Sequence, residues 1–242
     1  MRGTMKRTLK SSVAVAALTL AMAACGAGET ALERVDFEGM DDNQRVVELA
    51  VGMTLGNEDA PITIHEFGDY QCPGCGQFAA LVKPQIEQSL VPDGRVKFVY
   101  YDFPLTSIHP HAFVAARASR CAADQDRYWE YHGALFQNQS VWATSSTAPL
   151  GLLEDYAGEL GLDEGAFSSC LRSDRHAELV SANMTLGELL GVTGTPSVLI
   201  SQGGAAQRLA DNSFAGIQAA VNAILAEMAE EDGGSGAETG GA

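Results

Sequence analysis

Glu66 to Phe78 reads EFGDYQCPGCGQF, and the fold turns on what its two cysteines, three residues apart, are for. Upstream, ITIHEF (Ile62 to Phe67) has the apolar and β-branched density of a buried strand. Downstream, Phe78, Leu81, Val82, Ile86 and Leu90 recur at helical spacing, which predicts a helix from 72 to about 90. The cysteines therefore sit at a strand-to-helix turn. Pro73 fits the first helical position, where its missing N–H costs nothing, and Cys72 becomes the N-cap. Unpaired backbone N–H groups and the positive end of the helix dipole favour thiolate at that position, so Cys72 is the candidate nucleophile. Cys75, one turn later on the same side, is the candidate resolving thiol. Pro84 predicts a kink or restart in the same helix.

A CxxC pair alone is not specific, because zinc ribbons, iron–sulfur sites and plain disulfides use it too. Zinc needs about four ligands, and no second CxxC or His-x3-His pair completes a site, so no metal is expected. His65 precedes the pair, but one strand histidine is more often structural. Glu66 carries more information. A carboxyl in the middle of an apolar strand is costly unless it is buried for a purpose. Alternation sets Glu66 on the face of Ile62 and Ile64; if that face lies under the CPGC helix, a desolvated carboxyl there can accept the Cys75 proton. The alternative is an edge-strand glutamate reaching solvent.

The chain has 242 residues and is 46% hydrophobic, ample for a globular core. Its start reads differently. Arg2, Lys6, Arg7 and Lys10 precede the uncharged run SSVAVAALTLAMAA, too short for a comfortable membrane span, and residues 1–24 are expected to be an export signal. The run ends in MAAC, which resembles the bacterial lipobox with Met22 where leucine is usual. Cys25 is accordingly expected to carry lipid and to hold the protein on a membrane; the alternative is an ordinary cleaved signal that leaves a free thiol. Removing residues 1–24 leaves 11 basic against 31 acidic residues, a net charge of −20. That charge argues against nucleic-acid binding and against a polybasic membrane patch. Residues 25–44 read as an acidic tether, 45–231 as the domain, and DGGSGAETGGA (232–242) as a disordered tail.

Export changes how the other cysteines are read, because disulfides persist outside the cytosol. With Cys25 lipidated, the remaining four make an even number. Cys121 and Cys170 sit in the helix-like stretches AFVAARASRCAAD and EGAFSSCLRS. The simplest expectation is a structural disulfide worth up to ~4 kcal/mol, which requires a Cα separation below about 7 Å. Two buried free thiols are the alternative.

GNEDAPITIHEFGDYQCPGCGQF, VKFVYYDFPL and GVTGTPSVLI, in that order, resemble the DsbA-like branch of thioredoxin-fold thiol–disulfide oxidoreductases, from about Gly56 to Ile224. The resemblance implies an α/β thioredoxin fold with an inserted helical subdomain over about 108–190. It implies Cys72 as exposed nucleophile, Cys75 as buried partner and Glu66 as the proton-transfer carboxylate. It also implies a cis bond between Thr195 and Pro196, freeing the Thr195 backbone to pair with an extended substrate beside Cys72. The activity implied is disulfide exchange with exported cysteine-containing proteins, with an unidentified redox partner and no cofactor. Gly74 departs from the best-known oxidase pattern, which often has histidine there. That departure is expected to leave the Cys72 pKa higher and the disulfide less oxidising, with ~30 mV equal to ~1.4 kcal/mol. Oxidase, reductase, isomerase and dedicated maturation factor stay open, as does a scaffold whose CPGC bridge serves only stability.

The element order expected is strand 62–68, the CPGC helix, strand 96–102, the helical insertion, strand 197–201, a short connection and a final helix near 213–230. Phe214, Ile217, Val221, Ile224, Leu225 and Met228 form the core face of that last helix. Trp129 and its neighbours are expected to pack the insertion. His109 and His111 are expected to start a helix, with no catalytic role.

Overall fold

A computed structural model describes residues 43–235. The expected export signal, Cys25 with its expected lipidation, nearly all of the expected tether and residues 236–242 lie outside the described residues.

The centre of the molecule is β2 (Ile62–Gly68), which carries the strand density seen in ITIHEF. It pairs in parallel with β3 (Val96–Asp102), in register Ile62 to Val96 through Gly68 to Asp102. Parallel neighbours need a crossover, here α2 (Pro73–Leu81) and α3 (Lys83–Ser89). The kink or restart expected at Pro84 thus divides the helix expected over 72–90 in two. The break falls at Val82, because Pro84 in the first turn of α3 has no N–H to continue the ladder. On the other side of β2 lies β4 (Ser197–Gln202), antiparallel, with Glu66 opposite Val198. Two short strands complete a sheet of order β1-β3-β2-β4-β5: β1 (Met53–Leu55) on the outer side of β3 and β5 (Gln207–Arg208) on that of β4. Neither short strand is predicted from sequence, since two or three residues show no alternation.

Between β3 and β4 run α4 (Ala112–Ala123), α5 (Tyr128–Gln137), α6 (Gln139–Trp142), α7 (Leu150–Glu159), α8 (Glu164–Leu171) and α9 (Ala177–Leu189). Arg120 of α4 is buried against Asp102 at the end of β3, 2.6 Å away, and Asn183 of α9 donates to the same carboxylate at 3.2 Å. Cutting one partner would strand the other as a buried charge, so these contacts fix the insertion on the sheet. The sulfurs of Cys121 and Cys170 are bonded at 2.00 Å, with Cα atoms 5.8 Å apart, joining α4 to α8. Trp129 packs against the core and also donates from its ring nitrogen to the Thr54 carbonyl at 3.0 Å, so it ties α5 to the sheet edge.

Two boundaries differ from expectation. A first helix, α1 (Asn43–Leu49), starts inside the stretch read as tether, because buried Val46 gives it an apolar contact. The last helix, α10 (Phe214–Ser235), runs past the expected domain end at 231 into the stretch read as tail. Gly233 and Gly234 cost a helix about 1 kcal/mol each, too little to stop one already nucleated and packed. Its Ile217 and Val221 are fully buried, with Phe214, Ile224, Leu225 and Met228 packed beside them.

Candidate active site

The dithiol stands where β2 hands over to α2. Cys72 is the N-cap of α2 in extended conformation and Pro73 occupies its first turn. Cys72 is partly exposed, whereas Cys75, facing inward one turn later, is fully buried. Both are free thiols here. The bond between Thr195 and Pro196 is cis, and the Thr195 carbonyl accepts from the Cys72 thiol at 3.4 Å. Two loops separated by 123 residues in sequence thus meet at one sulfur.

The two sulfurs differ in acidity for reasons visible in their surroundings. The Cys75 S–H bonding to Cys72 is the largest influence that brings the Cys72 pKa down to about 5; the Thr195 side chain and the backbone N–H groups of Cys75 and Gly74 add to it, against partial burial. The Thr195 carbonyl serves only the neutral thiol, since a thiolate has no proton to donate. Cys75 moves the other way. Burial pushes its thiol well above the ordinary range, and its bond to Cys72 and the charge of Glu66 push further, opposed by the Asp69 N–H at 3.4 Å.

Glu66 lies in the central strand, 1% exposed, so it is no edge residue. Neither of its carboxylate oxygens has a hydrogen-bond partner among the described residues. Burial raises its pKa to about 8, with Lys83 pulling down and Cys72 pushing up. At neutral pH it is therefore a carboxylic acid with a transferable proton, electrostatically coupled to both sulfurs.

Asp69, Gln71 and Gln139, not singled out in the sequence, hold this arrangement together with His109 and His111. Asp69, buried in the loop after β2, accepts from the N–H groups of Gln71 and Leu105 at 2.7 and 2.8 Å and meets Nδ1 of His109 at 2.7 Å. Gln71 accepts from the N–H of His111, which is the N-cap of α4. His109 and His111 thus brace the site's loops. Gln139, at the start of α6, donates to the carbonyls of Tyr70 and Cys72 at 2.7 and 2.9 Å. Gly76 leaves room for it: a Cβ there would sit 2.8 Å from the Gln139 side-chain oxygen and force that side chain to shift. At Gly74 a Cβ would lie 3.3 Å from the Pro196 ring and 3.6 Å from the Cys72 sulfur, so this position faces both the cis-proline loop and the nucleophile. The Asp69 turn has a local signal, an Asp two residues before a loop N–H; Gln139 has none. Cys121, Cys170 and His176 come within 4.8 Å of one another, but the two sulfurs are bonded to each other and offer no thiolate.

An N-capping cysteine on the central βα turn, a buried second cysteine and a cis-proline loop across from them define a thioredoxin-fold protein built around a dithiol. A protein-family model described as Thioredoxin matches residues 48–223, and the chain belongs to that family. It is 34% identical over 164 residues to the Na(+)/H(+) antiporter NhaA 1 of Salinispora arenicola, a match spanning 68% of this chain but only 24% of the antiporter. It is 26% identical over 165 residues to the probable disulfide bond formation protein D of Bacillus cereus, covering 66% of this chain and 75% of that one. The crystal structure of oxidised BdbD from Bacillus subtilis is similar with a TM-score of 0.62 at 25% identity, over 70% of this chain and 90% of that chain. No described helix is long and apolar enough to cross a membrane.

Proposed function

We propose that the protein is a thiol–disulfide oxidoreductase that exchanges disulfides with exported cysteine-containing proteins through Cys72 and Cys75. The observation that carries this reading is the opposed acidity of the two sulfurs: an accessible Cys72 held as thiolate near neutrality, and a buried Cys75 held as thiol beside a protonated Glu66. A bridge serving only stability has no use for that asymmetry. The name of the Bacillus cereus relative points the same way.

In the oxidising direction a substrate thiolate attacks Cys72 of the Cys72–Cys75 disulfide. The Cys72–Cys75 bond breaks, and Cys75 leaves with the electron pair and takes a proton from Glu66. A second substrate thiolate then attacks the substrate sulfur of the mixed disulfide and releases Cys72 as thiolate. Two electrons have passed from substrate to enzyme, and an external acceptor must remove them. Thr195, on the cis-proline loop, pairs with the substrate backbone beside Cys72. The reverse sequence makes the protein a reductase. Oxidation is favoured, because a thiolate stabilised to a pKa of about 5 stabilises the dithiol product. Gly74 supplies no further charge, and the expected reduction potential lies between the about −270 mV of thioredoxin and the about −120 mV of DsbA.

The test is oxidation of a reduced dithiol peptide, and reduction of insulin, by the domain lacking residues 1–24. Both activities should disappear in Cys72→Ser. Absence of turnover in both directions by the unaltered domain would leave only a scaffold. The export signal over residues 1–24 and lipid on Cys25 belong to the same proposal, and mass spectrometry of membrane-extracted protein against Cys25→Ser tests them.

A further inference from the structure

Three helix ends meet at the second cysteine pair. Cys121 lies in the last turn of α4 and Asp124 caps that helix, Cys170 lies in the last turn of α8, and His176 is the N-cap of α9. Both sulfurs are buried, and a ring nitrogen of His176 stands within 4.8 Å of each. Oδ2 of Asp124 is 3.0 Å from Nε2 of His176 and 3.7 Å from the Cys170 sulfur, although a disulfide sulfur has no proton to give it. Every disulfide is preceded by its dithiol. In that form the four side chains offer two sulfur donors, one nitrogen and one oxygen, a set that suits zinc. Tetrahedral zinc at its usual bond lengths sets ligand-to-ligand distances of about 3.3–3.8 Å. The nitrogen–oxygen and oxygen–sulfur distances here are already close to those values. Only the two sulfurs have to separate, to about 3.8 Å, which side-chain rotation supplies at a Cα separation of 5.8 Å.

We propose that the reduced form of this pair is a zinc site, with Cys121, Cys170, His176 and Asp124 as its four ligands. Binding replaces the hydrogen bond between His176 and Asp124 and releases the two thiol protons to water. Two thiolates and a carboxylate around Zn2+ leave one net negative charge. Arg175, whose Nη1 lies 3.0 Å from Oδ2 of Asp124, offsets it. The Asp124 side chain is 34% exposed, which gives the ion a way in. Held by the metal, α4, α8 and the start of α9 are tied together before the bond exists, and both sulfurs are kept from mispairing with Cys72 or Cys75. Oxidation ends this state. A small disulfide takes two electrons from the thiolates, its own S–S bond breaks to a pair of thiolates, the Cys121–Cys170 bond forms, and zinc leaves with its charge unchanged. None of this depends on the chemistry at Cys72.

The test uses the chain carrying Cys25→Ser, Cys72→Ser and Cys75→Ser, so that this pair supplies the only thiols. It is reduced anaerobically with a phosphine and titrated with Co2+, then with Zn2+. One equivalent of Co2+ should bind with the visible bands of a tetrahedral thiolate site and be displaced by Zn2+, and the oxidised chain should take up none. His176→Ala and Asp124→Ala should each weaken Zn2+ binding at least about tenfold, since losing a ligand costs no less than losing an outer-shell partner. Zn2+ should raise the urea midpoint of the reduced chain and leave that of the oxidised chain in place. Circular dichroism of each variant in its oxidised form checks its fold, and His176→Gln or Asp124→Asn, closer in shape, replaces an alanine variant that does not fold. The proposal is overturned if the reduced chain binds no Co2+ or binds it without tetrahedral bands. It is equally overturned if Cys121→Ser and Cys170→Ser abolish binding while the His176 and Asp124 variants leave it unchanged, which is what two thiolates alone would give.

Discussion

Glu66 is the residue at which burial and chemistry conflict most. Its pKa is raised from the ordinary carboxylate value to about 8, so between about pH 4.5 and 8 the folded chain holds a proton that the unfolded chain has released. Stability from this group is full below about pH 4.5 and is lost as pH rises toward 8. Cys72 acts in the opposite sense. Its depressed pKa of about 5 contributes stability at high pH that is lost as pH falls through that value. In the dithiol protein the two slopes largely cancel. Glu66→Gln removes one of them, so its urea-unfolding stability relative to wild type should grow by about 3 kcal/mol between pH 4.5 and 7. A pH-independent difference would show that Glu66 is not held neutral. Cys72, Cys75 and Glu66 were legible in the sequence because each breaks a local rule: a thiol at an N-cap, a second one turn later, an acid among β-branched neighbours. Gln71 was not, because its partner, the N–H of His111, lies 40 residues away in sequence.

At the scale of elements, the site is one βα turn clamped by parts of the insertion. Gln139 spans from α6 to the carbonyls of Tyr70 and Cys72, and Gly76 makes room for it. Gly76→Ala should therefore mimic Gln139→Ala: each is expected to lose about 1–3 kcal/mol, two hydrogen bonds at roughly 0.5–1.5 kcal/mol apiece. The double variant should lose no more than the worse single one, because both remove the same contact. Additive losses in chemical denaturation would mean that the clamp is not shared. The strands and the CPGC turn followed from periodicity and from proline. The clamp did not, since it depends on where a four-residue helix more than sixty positions away comes to rest. The end of α10 was misread for the opposite reason: a glycine pair looks like a stop locally, but packing upstream carries the helix on.

Across the whole molecule, the Cys121–Cys170 bond joins α4 to α8 over 49 residues, a closure worth about 4 kcal/mol in the chain-entropy model. Cys121→Ser with Cys170→Ser should lower unfolding stability by up to that amount while leaving the Cys72 alkylation midpoint near 5, because neither residue touches the CPGC turn. A shifted midpoint would mean that the bridge tunes the redox centre as well. The order of strands and inserted helices was readable from sequence because each long element keeps one period. The sheet edges, two or three residues long, carry no period to read.

The meeting of Cys72 with the Thr195 loop, 123 positions later, has a consequence for biosynthesis. A nascent chain that has emerged only as far as the first sulfur lacks the hydroxyl and the loop that complete its surroundings. Its thiol is then expected to be less acidic than in the folded chain, where the Thr195 side chain helps to bring the Cys72 pKa down. The full depression of the Cys72 pKa is expected only once the Thr195 loop has been made and has closed beside the sulfur.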